Sequence, residues 1–318
     1  MLESPKISIV VLTYNQSLTI ERTLNSILNQ QTNYSFELII GEDSSKDNTR
    51  DICLQYMERF PDKVRLLPSA PNKGLLKNFR DAISACRGEY ICQCAGDDWW
   101  HNPYKLQLEI EYMEKNPICG MVHSDVDLYN AVTGRTLHNI NKRQHRAIPT
   151  GYYAPFLLTE IIPIYTPTPC YRKNLIEKVN FDEFLEQGFM MEDLPMWLEM
   201  AKYAIFHYID ESLATYTSAP DSACRPDSLE KHLKFEENVT KVQLYYRRKY
   251  YSEIDKQEIL KADNKRKMTV FRRFKKYRQA FECYRKIDFG NSWLRKISRS
   301  NYFLYRLFVG MKEILNRL

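Results

Sequence analysis

The sequence predicts an α/β fold built on a mostly parallel sheet. Short runs rich in Ile, Val and Leu alternate with segments whose apolar residues recur at helical spacing, a pattern typical of βαβ units. Polar clusters directly follow three of the predicted strands. In addition, 44% of the 318 residues are hydrophobic and 27% are charged, which is the composition of a packed globular chain.

The first predicted strand is ISIVVL, a β-branched run of the kind that is buried on both faces of a sheet. It ends at Thr13 and Tyr14. A helix is expected next, because Ile20, Leu24 and Ile27 recur at helical spacing.

Further strands and helices follow in alternation. The strand FELIIG ends at Glu42 and Asp43, and the polar turn SSKDNT leads into a helix. The strand KVRLLP precedes the predicted helix KGLLKNFRDAISAC. The strand EYICQC ends shortly before Asp97 and Asp98, and Pro103 can start the helix PYKLQLEIEYMEKN.

The pattern is less regular after the strand CGMVHSDVDLY. Residues 130 to 165 are predicted to form loops and short extended pieces, and IFHYID and SLATY are predicted as two short strands. The segment GFMMEDLPMWLEMAKYA places Glu192 and Asp193 immediately before a helix. We place a domain boundary near residue 240, between an α/β domain, 1–240, and a C-terminal extension, 241–318.

Three polar clusters are expected to meet at one edge of the sheet, because ligands of such sheets bind outside the carboxyl ends of the strands. The residues concerned are Thr13, Tyr14, Glu42, Asp43, Asp97 and Asp98. The first turn, TYNQS, contains no glycine, and the sequence has neither a G-x-G-x-x-G dinucleotide motif nor a Walker A loop. A dinucleotide site of the Rossmann type and a P-loop nucleotide site are therefore excluded.

Several pieces of sequence, taken in order, resemble the family-2-type inverting glycosyltransferases of the GT-A fold. They are SIVVLTYN, GEDSSKDNT, NKG, GDDWWHNPYKLQLEIEYM, MEDLPMW and LATY, spread over residues 7 to 216. The resemblance implies transfer of a sugar from a nucleotide-sugar donor, taken as UDP-linked, to a saccharide or lipid-linked acceptor in cell-surface polysaccharide synthesis. It also implies a divalent cation, Mn²⁺ or Mg²⁺.

The resemblance also implies a role for individual residues. Asp98 would hold the metal, Asp193 would be the general base, and Glu192 and Trp197 would lie on the acceptor side. The implied donor-binding residues are Thr13, Tyr14, Glu42, Asp43, Lys73, Gly74 and Asp97. This chemistry is coherent, because a bound dication stabilises a diphosphate leaving group and an inverting transfer needs a carboxylate to take the acceptor proton.

Each of these residues also has a structural interpretation. Asp98 can belong to a solvated turn at the end of a strand, Asp43 can form an Asx turn, and Lys73-Gly74 can be a surface turn. Asp193, shortly before a proline, has the pattern of a helix N-cap. A capping Asp tends to be more acidic, which makes it a weaker base.

A second acidic motif competes with the Asp97-Asp98 pair for the metal. Asp125 and Asp127 fit a D-x-D pattern and share one face of a strand with His123. The family that the chain resembles has an ordinary strand at this point, after the helix that follows Asp98. We therefore assign the metal to Asp98.

The sequence departs from the family pattern after its last short strand. Members of that family often have Tyr-Arg-x-His there, whereas TYTSAPDS carries Thr217 in place of the Arg and Ala219 in place of the His. A cation that binds the donor diphosphate would have to come from elsewhere, and Lys105 or Arg172 are candidates.

The charge is distributed unevenly. Residues 241–318 hold 22 Lys and Arg against 7 Asp and Glu, a net charge of +15, whereas residues 1–240 hold 24 against 33, a net charge of −9. Apolar residues also recur in the tail at steps of three and four: Leu304, Leu307, Phe308, Met311, Leu315 and Leu318. Basic residues with apolar anchors suit an anionic membrane surface. The alternative is a helical lid that packs its apolar stripe on the rest of the chain.

The eight cysteines include no C-x-x-C pair, which favours buried thiols in a reducing compartment over a zinc site. The N-terminal residues lack the pattern of a signal peptide, and no uncharged run reaches the length of a spanning helix. We expect a cytoplasmic protein that can lie at the inner face of the cell membrane.

Two other functions fit the sequence less well. A nucleotidyltransferase would have a glycine-rich first turn over the triphosphate. A nucleic-acid-binding protein would present base-stacking aromatic residues on a basic sheet face, whereas residues 1–240 are acidic. We therefore expect no nucleic-acid partner.

Overall fold

The computed structural model describes residues 4–68, 70–144, 148–159, 164–219, 228–287, 298–299 and 301–315. The chain forms two compact units. Unit 1 comprises Met1–Ala154 and Ile162–Ala219, and unit 2 comprises Pro155–Ile161 and Pro220–Leu318.

The strands are β1 (Ile7–Thr13), β2 (Phe36–Glu42), β3 (Val64–Leu66), β4 (Tyr90–Ala95), β5 (Cys119–Asn130), β6 (Thr136–Leu137), β7 (Cys170–Arg172) and β8 (Ile205–Ser218). The helices of unit 1 are α1 (Ile20–Leu28), α2 (Thr49–Arg59), α3 (Leu75–Ser84), α4 (Lys105–Lys115), α5 (Ile140–Arg143), α7 (Lys173–Ile176), α8 (Phe181–Glu186) and α9 (Asp193–Met200). Helix α6 (Ala154–Thr159) belongs to unit 2 except for its first residue, and unit 2 also holds α10 (Leu229–Tyr250), α11 (Lys256–Arg273), α12 (Tyr277–Arg285) and α13 (Tyr302–Leu315).

One sheet organises unit 1. Its strand order is β3-β2-β1-β4-β7-β5-β6, and β8 pairs with β5. Strands β3, β2, β1 and β4 are parallel to one another, whereas β7 runs antiparallel between β4 and β5. The predicted α/β fold with a mostly parallel sheet is therefore confirmed.

The apolar pattern of the sequence explains how β1 and α1 pack. Every residue of β1 is buried or nearly so, as expected for a strand with neighbours on both sides and cover on both faces. In α1, Ile20, Leu24 and Ile27 are completely buried. Each such side chain contributes about 1.5–3 kcal/mol through removal of apolar surface from water, so this face holds α1 against the sheet.

The segments IFHYID and SLATY form one long strand, β8, instead of the two predicted short strands. The break expected between them is a bulge: Ser124 of β5 lies opposite Ile209, but the next residue, Asp125, lies opposite Ser212. Asp210 and Glu211 are thus extra residues, and both are exposed. Two adjacent charged residues, which in the sequence indicate a turn, here form an exposed bulge within one strand.

The domain boundary predicted at residue 240 falls inside α10, a helix of 22 residues. Contacts within the chain instead change from unit 1 to unit 2 near residue 220. The physical reason is that α10 packs along α11. In that interface Arg266 donates hydrogen bonds to Glu236 Oε2 (2.8 Å), Thr240 Oγ1 (2.8 Å) and Gln243 Oε1 (3.1 Å).

Among the described residues, no helix combines the length and the apolar character that crossing a bilayer requires.

Candidate active site

Strands β1, β2 and β4 end side by side at one edge of the sheet. The backbone N–H of Asp43 donates to the carbonyl of Thr13 (3.1 Å), and that of Gly96 donates to the carbonyl of Leu12 (2.9 Å). A Cβ atom on Gly96 would lie 2.6 Å from Thr13 Oγ1, so only glycine permits this approach. The three polar clusters identified in the sequence therefore do converge.

One face of α1 holds the turn that carries Asp97 and Asp98. Side chains of α1 and of its N-cap residue donate hydrogen bonds to three successive backbone carbonyls of the turn. The pairs are Thr19 with Gly96 (2.9 Å), Arg22 with Asp97 (3.0 Å) and Thr23 with Asp98 (2.6 Å). Because the donors are spaced at i, i+3 and i+4, one helical face supplies all of them. The turn is thus fixed by the fold itself.

Asp98 has one carboxylate oxygen that the protein leaves without a partner. The residue is 0% exposed, and its Oδ1 accepts a hydrogen bond from the backbone N–H of Thr217 (2.7 Å). Its Oδ2 is buried and accepts no hydrogen bond from any described residue. Burial, together with the charge of Asp97, raises the pKa of Asp98 well above its ordinary range. An ionised oxygen without a partner is costly in this position.

The neighbouring carboxyl group, Asp97, is held in the same turn. Burial raises the pKa of Asp97, and Gln16 lowers it by hydrogen bonding to the carboxylate. The guanidinium of Arg22 lies 3.6 Å from the ring centroid of Trp99 while it donates to the Asp97 carbonyl. The stacked geometry fixes both the cation and the indole next to the two carboxylates.

Thr217 performs a structural task at the point where the sequence departs from the family pattern. Its hydroxyl donates to the carbonyl of Asp97 (2.5 Å), and its backbone N–H donates to Asp98. The end of β8 is therefore attached to the same turn. Sequence reasoning missed this role, as it missed Thr19, Arg22 and Thr23. The only signal was a row of polar residues at helical spacing in α1.

Asp43 connects the end of β2 to the segment that contains Lys73 and Gly74. Its Oδ1 accepts from the Lys73 N–H (2.7 Å) and its Oδ2 from the Gly74 N–H (2.9 Å). The Lys73 ammonium is paired with Asp81 (2.8 Å), so a contact between this ammonium and the donor would require the ion pair to open. The structure therefore places Lys73 and Gly74 at the strand edge through their backbone.

Glu42 and Tyr14 lie at the same edge in different environments. Glu42 is completely buried, and its two oxygens accept from the Ser45 N–H (2.5 Å) and from Arg50 (3.0 Å). A direct contact between Glu42 and a donor would require breaking one of these bonds. Tyr14, in contrast, is exposed and follows Thr13 directly, where its ring is available to a ligand.

Glu192 and Asp193 form a pair of half-buried carboxyl groups at the start of α9. The helix begins at Asp193, and no side-chain hydrogen bond caps it; Asp193 Oδ1 instead accepts from the adjacent Leu194 N–H (2.7 Å). Burial and the neighbouring Asp193 raise the pKa of Glu192 to about 8, and burial also raises the pKa of Asp193. A raised pKa makes a carboxylate a better proton acceptor near neutral pH.

Trp197 anchors α9 to the sheet. Its ring is buried and packs edge-on against Tyr171 of β7, with 5.6 Å between the centroids. The Tyr171 hydroxyl donates to Gln93 of β4 (3.3 Å). Helix α9 is thus attached, through β7, to β4, the strand that precedes Asp97. A contact between Trp197 and an acceptor stays a prediction, and it would require the ring to leave this packing.

The carboxylate oxygens of the competing D-x-D motif already accept hydrogen bonds from other residues of the chain. Asp125 accepts from the backbone N–H groups of Asn141 (2.9 Å) and Lys142 (3.2 Å), and Asp127 accepts from His138 and from the Asn139 N–H. These bonds hold the start of α5 against β5. The motif therefore has a structural function.

Neither cation suggested for the donor diphosphate is available. Lys105 is completely buried and donates to both oxygens of Glu109 (2.8 and 2.7 Å). Arg172 donates to the carbonyls of Cys119 and Met113 and to the Tyr90 hydroxyl. The suggestion that Lys105 or Arg172 binds the diphosphate is therefore wrong, because each satisfies buried oxygens of the core.

A separate group of potential metal ligands lies inside unit 1. Cys92, Glu109 and Cys170 are buried, and their ligand atoms lie within 4.8 Å of one another. Burial raises the pKa of Glu109 to about 7, and Lys105 opposes that rise. Because the Lys105 ammonium already holds both carboxylate oxygens, this group is a buried ion pair flanked by two thiols.

Replacing Thr23 by valine is expected to lower the free energy of unfolding by about 1–3 kcal/mol, because the buried carbonyl of Asp98 loses its donor while the side-chain shape is kept. Thr23→Ser keeps the hydroxyl and is the matched control. Urea unfolding followed by circular dichroism compares the two. Equal stability of the two variants would contradict the role of this hydrogen bond.

Comparison with known proteins shows the family of the chain. Residues 8–179 match the family described as Glycosyl transferase family 2. An uncharacterized glycosyltransferase of Nostoc sp. (strain PCC 7120) is 35% identical over 176 residues, which are 55% of this chain and 53% of that protein. The Escherichia coli UDP-Glc:alpha-D-GlcNAc-diphosphoundecaprenol beta-1,3-glucosyltransferase WfgD is 30% identical over 130 residues, 41% of this chain and 49% of that protein.

These curated relatives are longer than the region they share with the chain. An uncharacterized protein of Mycobacterium tuberculosis (strain H37Rv) is 39% identical over 110 residues, which are 35% of this chain and 32% of that protein. The chain thus spans from about a third to about a half of the length of these three curated relatives.

Solved structures show the same fold. A mannosyltransferase of Pyrobaculum calidifontis, in complex with GDP-Man and Mn²⁺, superposes with a TM-score of 0.57 at 13% identity, covering 88% of this chain and 76% of that chain. Residues 1–349 of Staphylococcus aureus TarS, in complex with UDP-GlcNAc, superpose with a TM-score of 0.54 at 16% identity, covering 95% and 89%. The fold is the GT-A type, and because the family match covers more than half of the sequence, the chain belongs to glycosyl transferase family 2.

Proposed function

We propose that the chain is a metal-dependent, inverting glycosyltransferase. It would transfer a sugar from a nucleotide-sugar donor to a saccharide or lipid-linked acceptor in the synthesis of a cell-surface polysaccharide. The observation that carries this proposal is the unpartnered, buried Oδ2 of Asp98 in a rigid turn at the carboxyl edge of the sheet.

The residues of the turn suit Mn²⁺ or Mg²⁺. Both ions prefer oxygen ligands, and Asp98 Oδ2 is a carboxylate oxygen that the fold directs to no other partner among the described residues. Asp97 would contact the ribose or the metal shell. A bound dication supplies neutralisation of the negative charge that grows on the diphosphate as the glycosidic bond breaks.

The donor nucleotide would lie along the ends of β1 and β2. Asp43 accepts one backbone hydrogen bond at each oxygen, and a carboxylate oxygen has a second acceptor site for an N–H of the base. The exposed ring of Tyr14 and the buried Thr13 lie beside it. A uridine nucleotide is proposed, supported by the UDP-sugar named for the E. coli relative and by the UDP-GlcNAc complex of TarS.

Asp193 would take the proton from the acceptor hydroxyl as that oxygen attacks the sugar. Its raised pKa and its attachment through α9 to β4 support this role. Glu192 would stay protonated beside the ionised Asp193, because burial and the charge of Asp193 raise the pKa of Glu192 to about 8. The chemistry uses one carboxylate for the metal and another for the base.

A donor-hydrolysis screen tests the proposed function. The full chain is incubated with a panel of UDP-, GDP- and other nucleotide sugars, with Mn²⁺, with Mg²⁺ or with a chelator. We expect one donor class to release its nucleoside diphosphate in the presence of the metal and the chelator to stop the release. Absence of release from every donor, or release that the chelator leaves unchanged, would contradict the proposal.

The proposed location is the cytoplasm, at the inner face of the cell membrane when the acceptor is lipid-linked. The seven cysteines that the structure describes are all free and buried, which supports a reducing compartment.

A further inference from the structure

We propose that unit 2 binds an anionic membrane surface through the outward face of α13 and the basic turn that precedes α12. This inference names a partner surface for the proposed function, in which a lipid-linked acceptor is one of two options. It rests on side chains that take no part in the candidate active site.

The inner face of α13 is already packed. Tyr305 and Val309 are buried in a cluster with Ala280, Phe281 and Tyr284 of α12. Arg272 of α11 donates to the Tyr305 hydroxyl (2.9 Å). Leu304 and Leu307 of the predicted apolar stripe do not belong to this cluster, and the side chains of Phe308, Met311, Leu315 and Leu318 lie outside the part of the chain that the structure describes.

The outer face of α13 exposes three large apolar side chains next to one another. Phe303 is 68% exposed, Leu304 is 37% exposed and Leu307 is 50% exposed. At 100° per residue these positions fall within about 100° of the helix circumference, so they form one ridge. Single exposed apolar residues are common, but a contiguous group of this kind marks an interaction surface.

Basic side chains lie beside this ridge. Arg306 of α13 stacks over the ring of Tyr277 at 3.5 Å, which joins the first residue of α12 to the ridge. Lys275, Lys276 and Arg278 are exposed around that point, and no acidic residue among the described parts of the chain forms an ion pair with them. The face therefore combines apolar anchors with unneutralised positive charge.

An anionic bilayer supplies both of the complementary features. Its surface attracts Lys and Arg, and its acyl chains accept Phe and Leu side chains from an interfacial helix. A second copy of this face is disfavoured, because residues 241–318 carry a net charge of +15 and would repel their counterpart. A nucleic acid would use the basic residues but would leave the apolar ridge in water.

Vesicle sedimentation of the full chain tests this surface. We expect binding to vesicles that contain phosphatidylglycerol, little binding to phosphatidylcholine vesicles, and release at high salt. The double variant Leu304→Glu/Leu307→Glu should lower the partition constant by about tenfold or more, because it removes apolar anchors and adds repulsion. Lys276→Gln/Arg278→Gln should weaken binding mainly at low salt.

Ile118→Glu/Val132→Glu is the matched control, because Ile118 (74% exposed) and Val132 (72% exposed) lie in unit 1 and this double variant receives the same change of charge. Circular dichroism verifies that the variants fold, and donor hydrolysis is measured on each one. Hydrolysis should be unchanged by the ridge variant, so a failed vesicle result is distinguishable from a failed proposal of enzymatic function.

Three outcomes would contradict the proposal that this surface binds a membrane. They are equal binding of the wild type to both kinds of vesicle, vesicle binding by the ridge variant at wild-type strength, and no vesicle binding by the wild type at low salt. If the last result came with a wild-type dimer that the ridge variant converts to a monomer in ultracentrifugation, the face would be an interface between copies.

Discussion

Asp98→Asn is expected to abolish metal-dependent binding of the nucleoside diphosphate while the fold stays intact. Asparagine keeps an acceptor for the Thr217 N–H but replaces the unpartnered Oδ2 by an amide that donates hydrogen bonds. Changes in groups that only orient a metal ligand already cost about 10- to 100-fold in affinity, so loss of the ligand itself should cost at least that.

Calorimetry with UDP and Mn²⁺ measures the effect. Asp127→Asn is a matched control, since Asp127 is also a buried strand carboxylate, but its oxygens accept from His138 and Asn139. We expect the control to keep donor affinity. If Asp98→Asn binds UDP with the same dependence on Mn²⁺ as the wild type, the metal is not held by Asp98.

Asp193→Asn is expected to keep donor affinity and to reduce turnover by about 10²-fold or more, the usual effect of losing a general base. Asparagine retains the oxygen that accepts from the Leu194 N–H, so the local structure should survive. Since Asp193 makes no capping bond in the structure, a loss of activity would not be explained by a weakened helix. Turnover near the wild-type level would leave Asp193 with a structural role only.

Glu192→Gln distinguishes the roles of the two neighbouring carboxyl groups, Glu192 and Asp193. A base must be ionised to act, so a raised pKa moves the acidic limb of the kcat profile to higher pH than an ordinary aspartate would give. Burial is what raises the pKa of Asp193, whereas the charge of Asp193 raises that of Glu192, so Glu192 is still neutral when Asp193 ionises. Replacing Glu192 by the neutral Gln should therefore leave both the acidic limb and the plateau of kcat near their wild-type values. If Glu192→Gln reduces the plateau while Asp193→Asn does not, Glu192 is the base.

The local sequence pattern was sufficient to predict the parallel part of the sheet. The β-branched residues of β1, and Ile20, Leu24 and Ile27 at helical spacing in α1, are each placed with their apolar atoms out of water in only one low-energy arrangement. Strand direction then follows from the alternation with helices, and the carboxyl ends of parallel strands must share an edge. The positions of Thr13, Asp43 and Asp97 at that edge were therefore accessible from the sequence.

The local sequence pattern was insufficient to predict the role of a residue whose hydrogen-bond or ion-pair partner is not apparent from the sequence around it. The D-x-D motif at Asp125 has the residue types of a metal site, but its acceptors are used by backbone N–H groups more than ten residues later. Lys105 has the charge of a diphosphate ligand, but Glu109 holds it inside the core. Residue type specifies what a group can bind, whereas packing specifies what it has already bound.

The assignment of the metal to Asp98 depends partly on the sequence and partly on the tertiary structure. The sequence determined that two adjacent carboxylates follow a buried strand and that the surrounding motifs are those of a glycosyltransferase family. Only the tertiary structure decided that Thr217, 119 residues away, satisfies Asp98 Oδ1 and that Oδ2 is left without a partner among the described residues. The reason is that the hydrogen-bond balance of a buried carboxylate depends on every donor the folded chain brings to it, and those donors come from strands and helices that are distant in sequence.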